Sequence, residues 1–308
     1  MQNIKEIKTK QFRWLDIINA SQADLKYLKQ EFCFNPLDLN DCLPSLQRPK
    51  IHDREDHVFI ILQFPIYEAG SGRIESAEID FFVGKNFLIT IHTGELTPLT
   101  DIFHMYQTDL LAKSKLKNED VASLLYKLAS KLYIYCYPIL NDIDNDISEA
   151  EKNILNQGET EAILTILTIK KNIVDLQKIM QSHFHIWQKF MLFDEKFKYP
   201  RKTTQNYNNL IDYTRDIWDY LKNYKDTINA LHETQESITS LKINEIMKTL
   251  TIFSVVVFPL TLLAAIFGMN TMNSMPFTNS PYDFWYIIGI MLVSMIIMFI
   301  FFKKKKWL

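Results

Sequence analysis

The sequence predicts a mixed fold: an N-terminal α/β domain, a long helical stalk and two transmembrane helices at the C-terminal end. Three observations support this prediction. Two uncharged apolar runs, residues 250–267 and 284–302, lie near the end of the 308-residue chain. Apolar residues at spacings of three and four precede the first run, which is typical of a helix. Further upstream, β-branched and aromatic runs are separated by turn residues, which is typical of strands.

The two apolar runs are long enough to cross a membrane once each. A bilayer core of about 30 Å needs about 20 residues of helix, and the runs contain 18 and 19. Residues 303–306 are lysines, whereas residues 268–283 contain neither Lys nor Arg. The positive-inside rule therefore predicts that both termini are cytoplasmic. We expect a multi-pass protein of the inner or plasma membrane, with the lipid bilayer as a partner.

Composition excludes several function classes. The formal net charge of −2 gives no basic bias that would indicate nucleic-acid binding. The polar start predicts no signal peptide, and the widely spaced Cys33, Cys42 and Cys136 indicate reduced thiols. The sequence contains no phosphate-binding glycine loop, nucleophile elbow or Cys/His metal array, so we do not expect an enzyme.

The N-terminal α/β domain is predicted over residues 1–115. It begins with a strand at 12–17, a helix from Ser21 to Phe32 opened by a capping box, and a helix starting at Asn35-Pro36. The apolar run at 58–67 predicts a buried strand. Residues 68–72 form a predicted turn, and two further strands at 74–82 and 87–92 are joined by a hairpin turn at 84–86.

A helical hairpin is predicted over residues 116–200. Apolar residues from Val121 to Ile147 recur at three and four, and Asn156-Gln157-Gly158 interrupts the pattern. A second helix is predicted from Thr160 to about Lys198, antiparallel to the first. His183 and His185 point apart on such a helix, so we expect surface residues rather than zinc ligands.

The stalk, residues 201–249, contains a heptad pattern. Its steps alternate between three and four through Tyr207, Leu210, Thr214, Ile217, Leu221, Tyr224, Ile228, Leu231, Gln235 and Ile238. No Pro or Gly interrupts the helix before Pro259, so the stalk is predicted to continue into the first span. A seam of this length implies partners, and two spans alone cannot enclose a water path. We therefore expect an oligomer.

One face of the first span carries polar side chains. Asn244, Met247, Thr251, Ser254, Phe258, Thr261 and Ala265 follow one another at steps of three and four. Such side chains tend to face protein or water rather than lipid. The residues alone favour hydroxyls that bond back to helix carbonyls and pack between helices.

The C-terminal region, residues 250–308, also resembles a known family. Gly268-Met269-Asn270 ends the first of two spans, Pro259-Leu260-Thr261 lies within it, Met275-Pro276 lies in the loop, and KKKKWL closes the chain. Upstream, Asp41-Cys42-Leu43 and Gln47-Arg48-Pro49-Lys50 fit the same pattern. Together these features resemble the CorA-type divalent-cation transporters.

The resemblance implies a homopentamer that conducts hydrated Mg²⁺. It implies an outer selectivity entrance at Gly268, Met269 and Asn270, where amide oxygens hold the ion's bound water without stripping it. It also implies a pore lined by Asn244, Met247, Leu250, Phe258 and Thr261. Phe277 stands where many relatives have Glu, so the loop is less acidic than the family pattern.

The resemblance further implies that cytosolic Mg²⁺ binds as a regulator between subunits. Asp101 stands where one acidic ligand is expected, while its expected partner falls on Asn209, with Asp212 nearby. An acidic run at 142–151 is best explained as a solvated helix face.

Two alternatives stay open. The same architecture could carry Co²⁺, Ni²⁺ or Zn²⁺, although the GMN triplet with Met275-Pro276 favours Mg²⁺ by resemblance. A membrane-anchored coiled-coil scaffold would instead show no conductance and would place Thr261 against lipid.

Overall fold

The computed structural model of the protein describes residues 3–43, 46–67, 72–154, 159–193, 201–269 and 281–307, with the backbone alone for 159–160 and 201–204. The chain divides into two compact units, Met1–His232 and Glu233–Leu308. We call them the N-terminal unit and the C-terminal unit. The predicted break at 156–158, the Met275-Pro276 pair and Phe277 lie outside the described residues. The predicted turn at 68–72 is described only at Gly72.

The N-terminal unit is built on a six-stranded sheet. Its strands are β1 (Ile4–Lys8), β2 (Arg13–Ile18), β3 (Lys50–Asp53), β4 (His57–Tyr67), β5 (Ile74–Gly84) and β6 (Phe87–His92). The strand order is β1-β2-β6-β5-β4-β3, and β2 runs parallel to β6 while the other neighbouring pairs are antiparallel. The predicted strands and the β5–β6 hairpin are confirmed. At Gly84 an added Cβ would collide with the Phe87 ring, so any larger residue there would force that ring to move.

One face of the sheet is covered by α1 (Gln22–Phe32) and α2 (Pro36–Asp41). The predicted capping box of α1 is present: Ser21 Oγ accepts from the Asp24 N–H at 3.3 Å, and Asp24 accepts from the Ser21 N–H at 3.0 Å. Asn35 Oδ1 accepts from the Leu37 N–H at 2.9 Å and starts α2. These caps satisfy helix N–H groups that have no partner within the helix.

The other face is covered by helices that follow the sheet. They are α3 (Thr97–Thr108), α4 (Leu110–Leu116) and the long α5 (Val121–Asn153). Trp14 of β2 meets Phe103 of α3 at 4.8 Å between ring centroids, and Phe64 of β4 meets Tyr133 of α5 at 5.3 Å. The N-terminal unit is therefore an α/β structure with helices on both sides of the sheet.

The predicted second helix of the hairpin is two helices. The structure has α6 (Glu159–Met180) and α7 (His183–Met191), with a turn at Gln181 and Ser182. Residues 194–198 of the predicted helix lie outside the described residues. The prediction that His183 is a surface residue is wrong. Its side chain is fully buried, and Nδ1 lies 2.9 Å from the Tyr133 hydroxyl.

A single helix, α8 (Arg201–Phe267), contains the predicted stalk and first span in 67 residues. Its apolar seam from Tyr207 to Ile228 is largely buried within the N-terminal unit. Tyr207, for example, packs on Phe190 at 5.0 Å and donates to the Ala122 carbonyl at 2.7 Å. The expectation that this part of the seam implies a partner chain is therefore wrong, because the chain's own α5 and α7 cover it.

The C-terminal unit contains the end of α8 and the helix α9 (Asp283–Lys304). Both helices are long and apolar enough to cross a membrane. After α9 the chain turns back: the Trp307 N–H donates to the Phe302 carbonyl at 3.0 Å, and the two rings stack at 5.9 Å. Lys306 adopts a left-handed backbone with φ of 56° to allow this turn.

Candidate functional site

The predicted pore-lining residues lie on an uncovered face of α8. Met247, Leu250 and Phe258 are 54%, 56% and 70% exposed, and Asn244 and Thr261 are also exposed. At about 100° per residue these positions span about a third of the helix circumference. We call this surface the α8 stripe. No described residue of the C-terminal unit covers it.

The opposite side of α8 is partly covered. The covered positions also recur at three and four: Lys248, Ile252, Val256, Pro259, Leu263 and Phe267. Val256 is the most buried of them, and it stands nine residues from Met247, about half a turn away. A matching stripe of partly covered residues runs along α9 through Ile287, Met291, Met295, Met298 and Phe302. The partly covered positions of α8 thus lie on the side away from the α8 stripe, which stays open within the single chain.

Hydroxyl groups on the α8 stripe are oriented by the helix itself. Thr261 Oγ1 donates to the Val257 carbonyl at 2.9 Å, and Thr251 Oγ1 donates to the Met247 carbonyl at 2.7 Å. This is the back-bonding that the residues alone favour, and both threonines are exposed within the single chain. A hydroxyl that donates to its own backbone presents only lone pairs outward. The stripe therefore offers oxygen acceptors.

Helix α8 ends at Phe267, and the described residues at this end of the span continue to Met269. The Gly268 N–H donates to the Ala264 carbonyl at 2.9 Å, and an added Cβ at Gly268 would stand only 3.1 Å from that same oxygen. Glycine thus allows the helix to close tightly at this point. Asn270, the predicted selectivity residue, lies outside the described residues.

The predicted regulatory residues lie at separate places in the N-terminal unit. Asp101 is exposed on α3 and lines a cavity with Asp16 and His104. Asn209 and Asp212 are exposed on α8, where the Asn209 amide donates to the Tyr126 hydroxyl at 3.3 Å. Within the described parts of the chain, no three His, Cys, Asp or Glu side chains are close enough to hold a metal directly.

Sequence reasoning missed an acidic cavity on the α1/α2 face of the sheet. Glu78 and Asp80 line it, and Asp80 is only 3% exposed. Burial raises the pKa of Glu78 to about 7 and raises the pKa of Asp80 well above its usual range. From the sequence, β5 is predicted only as a strand. A signal lay in the spacing, because Asp80 and Phe82 are two residues apart and therefore share one face of β5, where Phe82 is fully buried.

The fold and the stripe together define a class of protein. An α/β unit is followed by one long helix that becomes the first of two candidate spans, and the span carries an uncovered face with oxygen acceptors. This is the architecture of a membrane ion transporter rather than an enzyme.

The chain belongs to the family described as CorA-like Mg²⁺ transporter protein, whose pattern matches residues 9–304. It is a CorA-family divalent-cation transporter. The family resemblance seen in the GMN triplet is thereby confirmed.

Individual relatives agree with this assignment. The Cobalt/magnesium transport protein CorA of Thermotoga maritima is 28% identical over 302 residues, covering 96% of this chain and 83% of the relative. The protein of that name from Methanocaldococcus jannaschii is 24% identical and covers 99% and 95%. The solved structure of the complete CorA magnesium transporter from the latter organism matches with a TM-score of 0.83 at 21% identity, covering 99% of this chain and 94% of that one. It supports the whole fold, both spans included.

Proposed function

We propose that this protein conducts hydrated Mg²⁺ through a pore lined by the α8 stripe in a homo-oligomer. The single observation that supports this most is the uncovered stripe itself, in a chain of a divalent-cation transporter family. A membrane helix that exposes threonine and asparagine needs water or protein on that side. Copies of α8 placed around an axis would supply both.

The subunit number comes from the resemblance, which implies a pentamer. In such a ring, Asn244 and Thr261 give rings of neutral oxygen, and Met247 with Leu250 gives an apolar constriction that gates by dewetting. Transport needs no nucleotide, because two charges crossing 100 mV release about 4.6 kcal/mol. Light scattering in detergent tests the oligomer, and a monomeric wild type would count against any pore.

The entrance assignment rests on Asn270. We propose that its amides hold Mg²⁺ through the ion's water shell. Asn270→Ala should abolish Mg²⁺ uptake into proteoliposomes while the oligomer stays folded. Asn270→Asp should bind cations more tightly and conduct poorly, because conduction needs release. Thr278→Ala in the same loop is the control and should transport normally. Wild-type uptake by Asn270→Ala would remove Asn270 from the entrance.

The proposed topology has both termini in the cytoplasm, since lysines flank only one side of the hairpin. A cysteine at Thr278 should react with an impermeant thiol reagent from the outside. Reaction only from the cytoplasmic side would reverse the orientation.

The regulatory role of Asp101, Asn209 and Asp212 also stays a proposal. All three are exposed, so an ion held between subunits has access to them. If this site regulates, Asp101→Asn should weaken the protection of the full chain against trypsin by added Mg²⁺. Unchanged protection would leave the assignment without support.

The cargo is tested in the same uptake assay. Co²⁺, Ni²⁺ and Zn²⁺ are offered as competitors of Mg²⁺. Zinc uptake without Mg²⁺ uptake would favour the zinc-transporter alternative, and no uptake of any ion would favour the scaffold.

A further inference from the structure

We propose that the acidic cavity of the N-terminal unit is a cation-binding site that lies within one protomer. The cavity has a volume of about 560 Å³ and lies on the α1/α2 face of the sheet. It is separate from the α8 stripe and from Asp101, Asn209 and Asp212. The chemistry that fits it is a divalent cation that keeps its water shell, and the inference goes beyond the transport function.

The first support is a carboxylate oxygen that lacks a partner. Asp80 Oδ1 is buried and has no hydrogen-bond partner of ordinary geometry among the described residues, although the neighbouring Cys42 thiol acts on the same carboxyl group as a weak donor and opposes the rise in its pKa. A buried acceptor without a donor costs free energy, so it usually indicates a missing water or ion. Asp80 lines the cavity. A water molecule that is bound to a cation in the cavity could donate a hydrogen bond to Asp80 Oδ1.

The second support is the set of carboxyl side chains that line the cavity. Glu75, Glu78 and Glu95 line it in addition to Asp80. Lys50 of β3 forms an ion pair with Asp41 at 2.6 Å. The cavity lining itself contains no lysine or arginine among the described residues. The described lining therefore offers carboxyl oxygens and no lysine or arginine that would compete with a bound cation.

The third support is spacing. Glu78 and Asp80 are two residues apart on β5, so their side chains point to the same face about 7 Å apart. An ion–water distance of about 2.1 Å and a water–carboxylate distance of about 2.7 Å place a carboxylate oxygen roughly 4–5 Å from the ion. Neighbouring positions of an octahedral shell then separate two such oxygens by about 6–7 Å. The pair fits a hydrated ion, which agrees with the lack of a directly ligating cluster.

Hydrogen bonds to the backbone of Gln47 hold Glu78 in place. Glu78 accepts from the Gln47 N–H, and Gln63 Nε2 donates to the Gln47 carbonyl at 2.8 Å. Gln63 stands opposite Glu78 in the β4–β5 register. This arrangement fixes one oxygen of Glu78 and leaves the other for a ligand.

The test uses Mn²⁺ as a paramagnetic probe on the full chain in detergent. A trifluoromethyl label is placed on Leu46→Cys, at the cavity lining, in a Cys33→Ser background, because Cys42 and Cys136 are buried. A second label on Leu192→Cys, which is 77% exposed on the α7 side, is the remote reference. Mn²⁺ should broaden the fluorine signal at position 46 more than at position 192, and Mg²⁺ should reverse the broadening.

Two variants test the ligands. Asp80→Asn and Glu78→Gln keep side-chain shape and should each abolish the selective broadening at position 46. Glu151→Gln, on the exposed acidic face of α5, should leave it unchanged. Equal broadening at both labels in the wild type, or broadening that survives both variants, would overturn the site. Neither result bears on transport, so the pore proposal is tested separately.

Discussion

The two units handle polar groups in opposite ways. In the N-terminal unit, the buried Tyr133 hydroxyl is paired with other side chains of the chain: Trp187 Nε1 donates to it at 2.6 Å, and it lies 2.9 Å from His183 Nδ1. In the C-terminal unit, Thr251 and Thr261 bond only to their own helix and stay exposed. The N-terminal unit therefore carries its own core, whereas the C-terminal unit leaves most of its apolar surface uncovered within one chain.

The largest effect is expected from breaking the core of the N-terminal unit. Ile217 is fully buried in a single chain, so Ile217→Asp places an unpaired charge in the core at a cost of several kcal/mol. Thermal unfolding should show loss of the folded protomer itself. Ile246→Asp is the matched control, because Ile246 is 66% exposed on the same helix and its change should leave the fold intact. Equal unfolding of both variants would contradict the contrast between the units.

A smaller effect, on transport alone, is expected from the α8 stripe. Thr261→Val removes the outward oxygen but keeps the shape, and a lost ion contact of about 1 kcal/mol lowers uptake several-fold. The melting temperature should not change. Thr249→Val is the control, since Thr249 bonds back to Glu245 at 3.0 Å but lies on the other side of α8. Normal uptake by Thr261→Val would move the pore face elsewhere.

A separate effect, on stability alone and well below that of Ile217→Asp, is expected from the buried hydroxyl of the N-terminal unit. Tyr133→Phe leaves the Trp187 N–H without its acceptor and should cost about 1–3 kcal/mol of unfolding free energy. Denaturant titration of the full chain measures it. Tyr135→Phe on the same helix, where the ring is only half-buried, should be nearly silent. A neutral Tyr133→Phe would mean that another group replaces the acceptor.

The sequence predicted the elements better than it predicted what covers them. Caps at Ser21 and Asn35, the glycine hairpin and the uncharged spans are local signals, and each element stands where its signal placed it. The seam through Ile217 gave the helix but not its partner, because a heptad pattern is the same whether the facing helix belongs to one chain or another. The burial of His183 depends on long-range packing against Tyr133, which no local pattern encodes.

For the candidate site, the sequence predicted which residues form the α8 stripe, but not which side of α8 is covered by other parts of the chain. Steps of three and four placed Asn244, Met247, Phe258 and Thr261 on one face of a helix, since helical geometry alone fixes that result. Which side of α8 is partly covered required the structure, because almost every side chain in both spans is apolar. The covered side is defined by Val256 and its neighbours on the opposite face.

Pro259 has a mechanical consequence for the first span. Proline has no N–H, so the Val255 carbonyl loses its helical donor, and the rod is weakest in bending between these two residues. Thr251 lies on one side of this joint and Thr261 on the other. Flexing at this joint would therefore shift Thr261 relative to Thr251, and in the proposed pore it would change the width at one threonine ring independently of the other.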